Sequence, residues 1–110
     1  MTPASERRAN TRYIIQCPLH YRVAQKGETS RFGTGMTCDM SAEGLSFRCR
    51  RALPAGAHAE VSVNWPAKHG EAAVTLLLTG FVVRSEAGHA AVRVTSHRFR
   101  VEEQSLSAIA

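Results

Sequence analysis

An alternation with a period of two runs through this chain and limits what it can fold into. From Tyr13 to Val23 every odd position is apolar: Tyr13, Ile15, Cys17, Leu19, Tyr21 and Val23. Gln16, His20 and Arg22 stand between them. Successive strand side chains point to opposite faces, so this run predicts a half-buried strand. Pro18 brings no N–H to a ladder and predicts an edge or a bulge there. Arg31 to Cys38 is a second strand by the same test, weakened by Gly33 and Gly35. Leu45, Phe47 and Cys49 alternate with Ser46, Arg48 and Arg50 in a third. Ala59, Val61, Val63 and Trp65 mark a fourth, Val74 to Arg84 a fifth, and Ala90, Val92 and Val94 a sixth. The stretches AQKGETS, LPAGAH, PAKHG and SEAGH between them are turns. Six short strands joined this way predict a small antiparallel barrel or sandwich. The tail RFRVEEQSLSAIA loses the alternation. Its Phe99, Glu102, Glu103, Leu106 and Ile109 predict a C-terminal helix over about 98–109 that covers one barrel end.

A chain of 110 residues is one domain by length and can bury a modest core. There is no internal repeat. The longest apolar run, Ala72 to Leu78, falls far short of the ~20 residues of a membrane span. The start, MTPASERRAN, has no apolar segment of the signal-peptide kind, so the expected location is the cytoplasm. Cys17, Cys38 and Cys49 are an odd, scattered set, which argues against a disulfide framework. Cys17 and Cys49 fall on apolar faces and read as core. Cys38 has no histidine near it in sequence. His20, His58, His69, His89 and His97 show neither H-x-H nor H-E-x-x-H spacing, so no metal, cofactor or catalysis is expected. The formal charge is +5, and all but two of the 14 basic residues are arginine. Guanidinium forks suit phosphates and guanine edges, and the excess predicts an anionic partner.

Two motifs carry that expectation further. ERRANTR places Arg7, Arg8 and Arg12 just before the first strand. Each guanidinium can bind a phosphate or the O6/N7 edge of guanine with two hydrogen bonds. CDMSAEGLSF places Asp39, Ser41 and Gly44 in a D-x-S-x-x-G pattern between the second and third strands. Asp and Ser commonly bond nearby backbone N–H groups in turns, and Gly44 would supply a positive φ or a close approach. Such a motif reads either as a structural turn or as acceptors offered to a purine edge.

In this order, R-x-x-x-R and D-x-S-x-x-G resemble the PilZ domain, the bacterial receptor module for cyclic di-GMP. LPAGAHAEVSV and LTGFVVRSEAGHAAVRV are similar to later segments of the same family. The resemblance implies a fold that is all-β with a small α addition, a six-stranded antiparallel β-barrel with a C-terminal helix. It divides the chain into a flexible ligand-binding segment, 1–12, and a barrel domain, 13–110. It implies cyclic di-GMP bound by Arg7, Arg8, Arg12, Asp39, Ser41 and Gly44, with the N-terminal segment ordering over the ligand. It implies a signal passed to an effector protein that the sequence does not identify. A basic residue at Arg7 goes, in that family, with two ligand molecules per chain. Arg48, Arg50, Arg84 and Arg93 are further candidates for the ligand face. Two other readings carry some weight: a family member acting through protein contacts alone, and a basic barrel binding nucleic acid through Trp65, Phe32 and Phe81. With aromatics at only 6%, no nucleic acid is the expectation, nor any membrane insertion, and the chain is expected to be a monomer or homodimer.

Overall fold

The computed structural model describes residues 14–86 and 88–102. Six antiparallel strands close into a barrel: β1 (Pro18–Ala24), β2 (Arg31–Met40), β3 (Gly44–Cys49), β4 (His58–His69), β5 (Ala72–Glu86) and β6 (His89–Val101), in the order β1-β2-β3-β6-β5-β4. The barrel expectation therefore holds and the sandwich does not. Closure leaves β1 no free edge. Pro18 simply opens the strand, where its missing N–H disturbs nothing. The interior is apolar: Leu19, Phe47, Val61, Val63, Val82 and Val92 are each at most 2% exposed. Cys17 and Cys49 belong to the same core.

Gly33 and Gly35 do not weaken β2. They lie on its inner face, opposite Tyr21 and Cys49. A side chain at Gly33 would enter the Tyr21 ring, and one at Gly35 would enter the Arg48 carbonyl and press the Phe47 ring. The missing side chains are the space in which those two rings pack, 5.7 Å apart. β3 has to reach β4 across the barrel end, because the two strands are not neighbours. The Leu-Pro-x-Gly turn makes that crossing. Leu53 and Ala57 plug the opening, and the N–H groups of Leu53 and Gly56 donate to Ser85 Oγ and the Val82 carbonyl, at 2.8 and 2.6 Å.

Single extra residues interrupt the ladders in β2, β5 and β6. Cys38 is extra in β2 between Thr37↔Phe47 and Asp39↔Ser46. Val83 is extra in β5, and Thr95 in β6. Each such bulge reverses the inside–outside alternation beyond it.

The Thr95 bulge explains why the expected C-terminal helix over about 98–109 is contradicted. Residues 98–101 are strand, and no helix occurs among the described residues; 103–110 lie outside them. Past Thr95 the alternation continues one residue out of step. His97, Phe99 and Val101 lie opposite Leu78, Leu76 and Val74, and Phe99 meets Trp65 edge-on at 5.2 Å. A single shift of register looks in sequence like the loss of a pattern. Pro66 to His69 stay in β4, with an irregular register between Trp65 and His69, and the turn expected of PAKHG comes at its last residue, Gly70.

Two outcomes follow from this packing. Gly35→Ala forces a methyl group against backbone and should cost about 1–3 kcal/mol, read by urea denaturation. Burial raises the Tyr21 phenol above its ordinary value, helped by Cys49 and opposed by Arg51 and Arg31; burial also raises the Cys49 thiol. Both groups hold their protons longer folded than unfolded. Their contribution is therefore complete below their unfolded values and is lost as pH rises through the folded ones. Stability should fall on the alkaline side, from the ordinary thiol range upward, and Tyr21→Phe should flatten the upper part of that fall.

Candidate functional site

The bulge at Cys38 decides where Asp39 points. Gly33, Gly35 and Thr37 face inward, so Asp39 would face the core if the alternation were unbroken. The extra residue turns it to the outer surface beside Ser46, whose hydroxyl donates to Asp39 Oδ1 at 3.2 Å. Val83 has the same effect on β5. Val82 is core, and the bulge turns Arg84 outward beside Ala91, while Val83 is left 55% exposed. Two charges that the strand period would bury thus arrive on one outer face.

That face holds an open hollow of about 520 Å³, within the range of small-ligand sites. Asp39, Ser41 and Gly44 line it together with Ser46, Val83, Arg84, Ala91 and Arg93. Ser41 holds the β2–β3 turn: its N–H donates to the Gly44 carbonyl at 2.8 Å, and its Oγ accepts from the Glu43 N–H at 3.3 Å. The Val94 N–H donates to the Glu43 carbonyl at 2.9 Å and ties the turn to β6. Gly44 does not have a positive φ; Gly27, Gly56, Gly70 and Gly88 do. A side chain there would have only the Val92 carbonyl near it, at 3.7 Å, an ordinary contact. Gly44 leaves room over the hollow and relieves no strain.

The hollow combines the Asp39 and Glu43 carboxylates and the Ser41 and Ser46 hydroxyls with the guanidinium groups of Arg84 and Arg93. Ala91 and Val83 add an apolar surface. This arrangement suits a flat, hydrogen-bonding ring that carries negative charge. Of the four barrel arginines singled out in the sequence, Arg84 and Arg93 line the hollow; Arg48 and Arg50 do not. Arg7, Arg8 and Arg12 lie outside the described residues. The aromatics considered for a nucleic-acid platform are spread out: Phe32 is exposed on β2, Phe81 stacks edge-on against His58, and Trp65 packs on Phe99. No group of three metal-binding side chains occurs among the described residues, and no described helix is long and apolar enough to cross a membrane.

Sequence reasoning passed over Thr37, the buried polar residue of the barrel interior. Its Oγ1 accepts from the Cys17 N–H at 2.8 Å and donates to the Ile15 carbonyl, and its own N–H donates to the Cys17 carbonyl at 2.9 Å. These bonds fix the segment ahead of β1 to β2, two residues from Asp39. A threonine on the inner face of an otherwise apolar ladder was the available signal. Thr37→Val keeps the shape but leaves the Cys17 N–H and the Ile15 carbonyl without their side-chain partner. It should cost about 1–3 kcal/mol in chemical denaturation, and Thr37→Ser should recover most of it.

A family model described as the PilZ domain matches residues 6–109, nearly the whole chain. No curated protein matches it.

Proposed function

We propose, from the premise that this chain belongs to the PilZ domain family, that it is a receptor in which Arg8 and Arg12 close cyclic di-GMP against the Asp39–Ser41–Gly44 hollow. The family is one of cyclic di-GMP-binding modules that act through effector proteins, and it is not a catalytic family. The observation that carries the finer reading is the meeting of Asp39, Ser41, Gly44, Arg84 and Arg93 around one hollow. Asp39 and Ser41 take the donor edge of a guanine. Arg84 and Arg93 face the phosphates or the O6/N7 edge of the second base. Val83 and Ala91 lie under a ring face.

The attachment at Thr37 supports the part given to the N-terminal segment. Arg12 precedes Ile15 by three residues, a reach of about 10 Å in an extended chain, and Arg8 has roughly twice that. Both reaches, taken from a segment tied to Thr37 two residues from Asp39, are long enough for the guanidinium groups to fold over a ligand lying there. Ordering that segment on binding converts ligand occupancy into a new surface, and the effector protein reads this surface. Arg7 adds a third fork and points to two stacked ligands per chain.

Isothermal titration of cyclic di-GMP tests this. Micromolar affinity, about −8 kcal/mol, is expected for the unaltered protein. Arg8→Ala, Arg12→Ala and Asp39→Ala should each weaken it by about 1–3 kcal/mol, and Arg84→Ala by a comparable amount. Arg48→Ala should leave it within error. The stoichiometry decides between one ligand and two. No binding at tens of micromolar ligand would overturn the reading.

A further inference from the structure

Cys38 and His89 are far apart in sequence and share no ladder pairing, yet Cys38 Sγ lies 3.1 Å from His89 Nε2. The bulge makes this possible. Cys38 has no partner on β3, so its side chain leans across that strand to β6, where His89 stands opposite Arg48. The other two cysteines are buried, while Cys38 is partly exposed. A thiol within hydrogen-bond reach of an imidazole is the arrangement of a nucleophile and its base. The pair sits at the rim of the proposed ligand site. Cys38 is the chain neighbour of Asp39. His89 lines an adjoining depression that shares Ser46 and Arg84 with the hollow. Arg48 and Arg84 make these surroundings basic, with Glu86 as the opposing charge.

We propose that Cys38 and His89 form a thiol-exchange site at which a small carboxylate-bearing disulfide attaches to Cys38 and shuts the nucleotide out of the adjoining hollow. His89 Nε2 takes the Cys38 proton. The thiolate attacks one sulfur of the disulfide; the new S–S bond forms at Cys38 as the old one breaks. The departing thiolate collects the proton from the imidazolium. One disulfide is consumed and one is made, so no other oxidant is needed. The attached group brings bulk and negative charge between Asp39 and Arg84, where the nucleotide's own charge would lie. A reducing thiol reverses the step.

The effect on binding rests on the cyclic di-GMP reading; the exchange itself does not, and two measurements separate them. The first is intact-protein and peptide mass spectrometry after native incubation with glutathione disulfide. A single adduct at Cys38 is expected, absent in Cys38→Ser and about tenfold or more slower in His89→Gln, with an unchanged far-ultraviolet circular dichroism spectrum. Under denaturing conditions all three thiols should react and the His89 advantage should vanish. Adducts spread over the three cysteines in the native protein, no adduct at all, or an unchanged rate in His89→Gln would each overturn the exchange site. The second is titration of cyclic di-GMP into the purified adduct, beside the same sample after reduction. An affinity about tenfold or more lower in the adduct, restored by reduction, is expected. Equal affinities in the two samples would overturn the exclusion, whereas an unmodified protein that binds no nucleotide would count against the receptor reading and leave the exchange result standing.

Discussion

Placing a carboxylate and a guanidinium on the outside of a small barrel depends here on two extra residues. With strict alternation, Asp39 would follow Thr37 into the core and Arg84 would follow Val82. A buried unpaired charge costs more than a domain of this size can offset. Cys38 and Val83 each absorb one residue of register and turn the next side chain out. The hollow exists because both bulges occur, on strands of the same face. Each bulged residue is itself put to use: Val83 as exposed apolar surface, and Cys38 as a thiol brought to His89.

Thr37 joins that face to the segment ahead of β1. Its three hydrogen bonds reach back to Ile15 and Cys17, and they set the origin from which any preceding residue must reach the hollow. The glycines opposite Tyr21 and Phe47 serve a quieter end, since they let two large rings share the interior near the same strand. Core packing and site placement are thus two properties of β2. Its inner face is cut away for aromatic rings and its outer face, after the bulge, carries Asp39.

Most of the barrel is legible in the sequence, because Leu19, Tyr21 and Val23, or Leu45, Phe47 and Cys49, announce an inner face without help from elsewhere. The D-x-S-x-x-G turn is legible for a similar reason: its hydrogen bonds are made among neighbours. What escaped depends on pairing. A bulge is a mismatch between two strands and leaves no mark on one of them, so the turn of Arg84 toward Asp39 was invisible. So was the continuation of β6 through Phe99, which the Thr95 bulge disguised as the start of a helix. The Cys38–His89 contact crosses an intervening strand and has no sequence signature. Arg7, Arg8 and Arg12 remain known from the sequence alone.

Where the ligand sits is tested most directly by a map of backbone amide shifts as cyclic di-GMP is added to isotopically labelled protein. Perturbations should concentrate at Asp39 to Ser46, at Val83 and Arg84, at Ala91 to Arg93, and along Ile15 to Cys17 as the segment fixed by Thr37 responds. Perturbations centred on the opposite side of the barrel, around Glu60, Ser62 and Leu77, would contradict this placement.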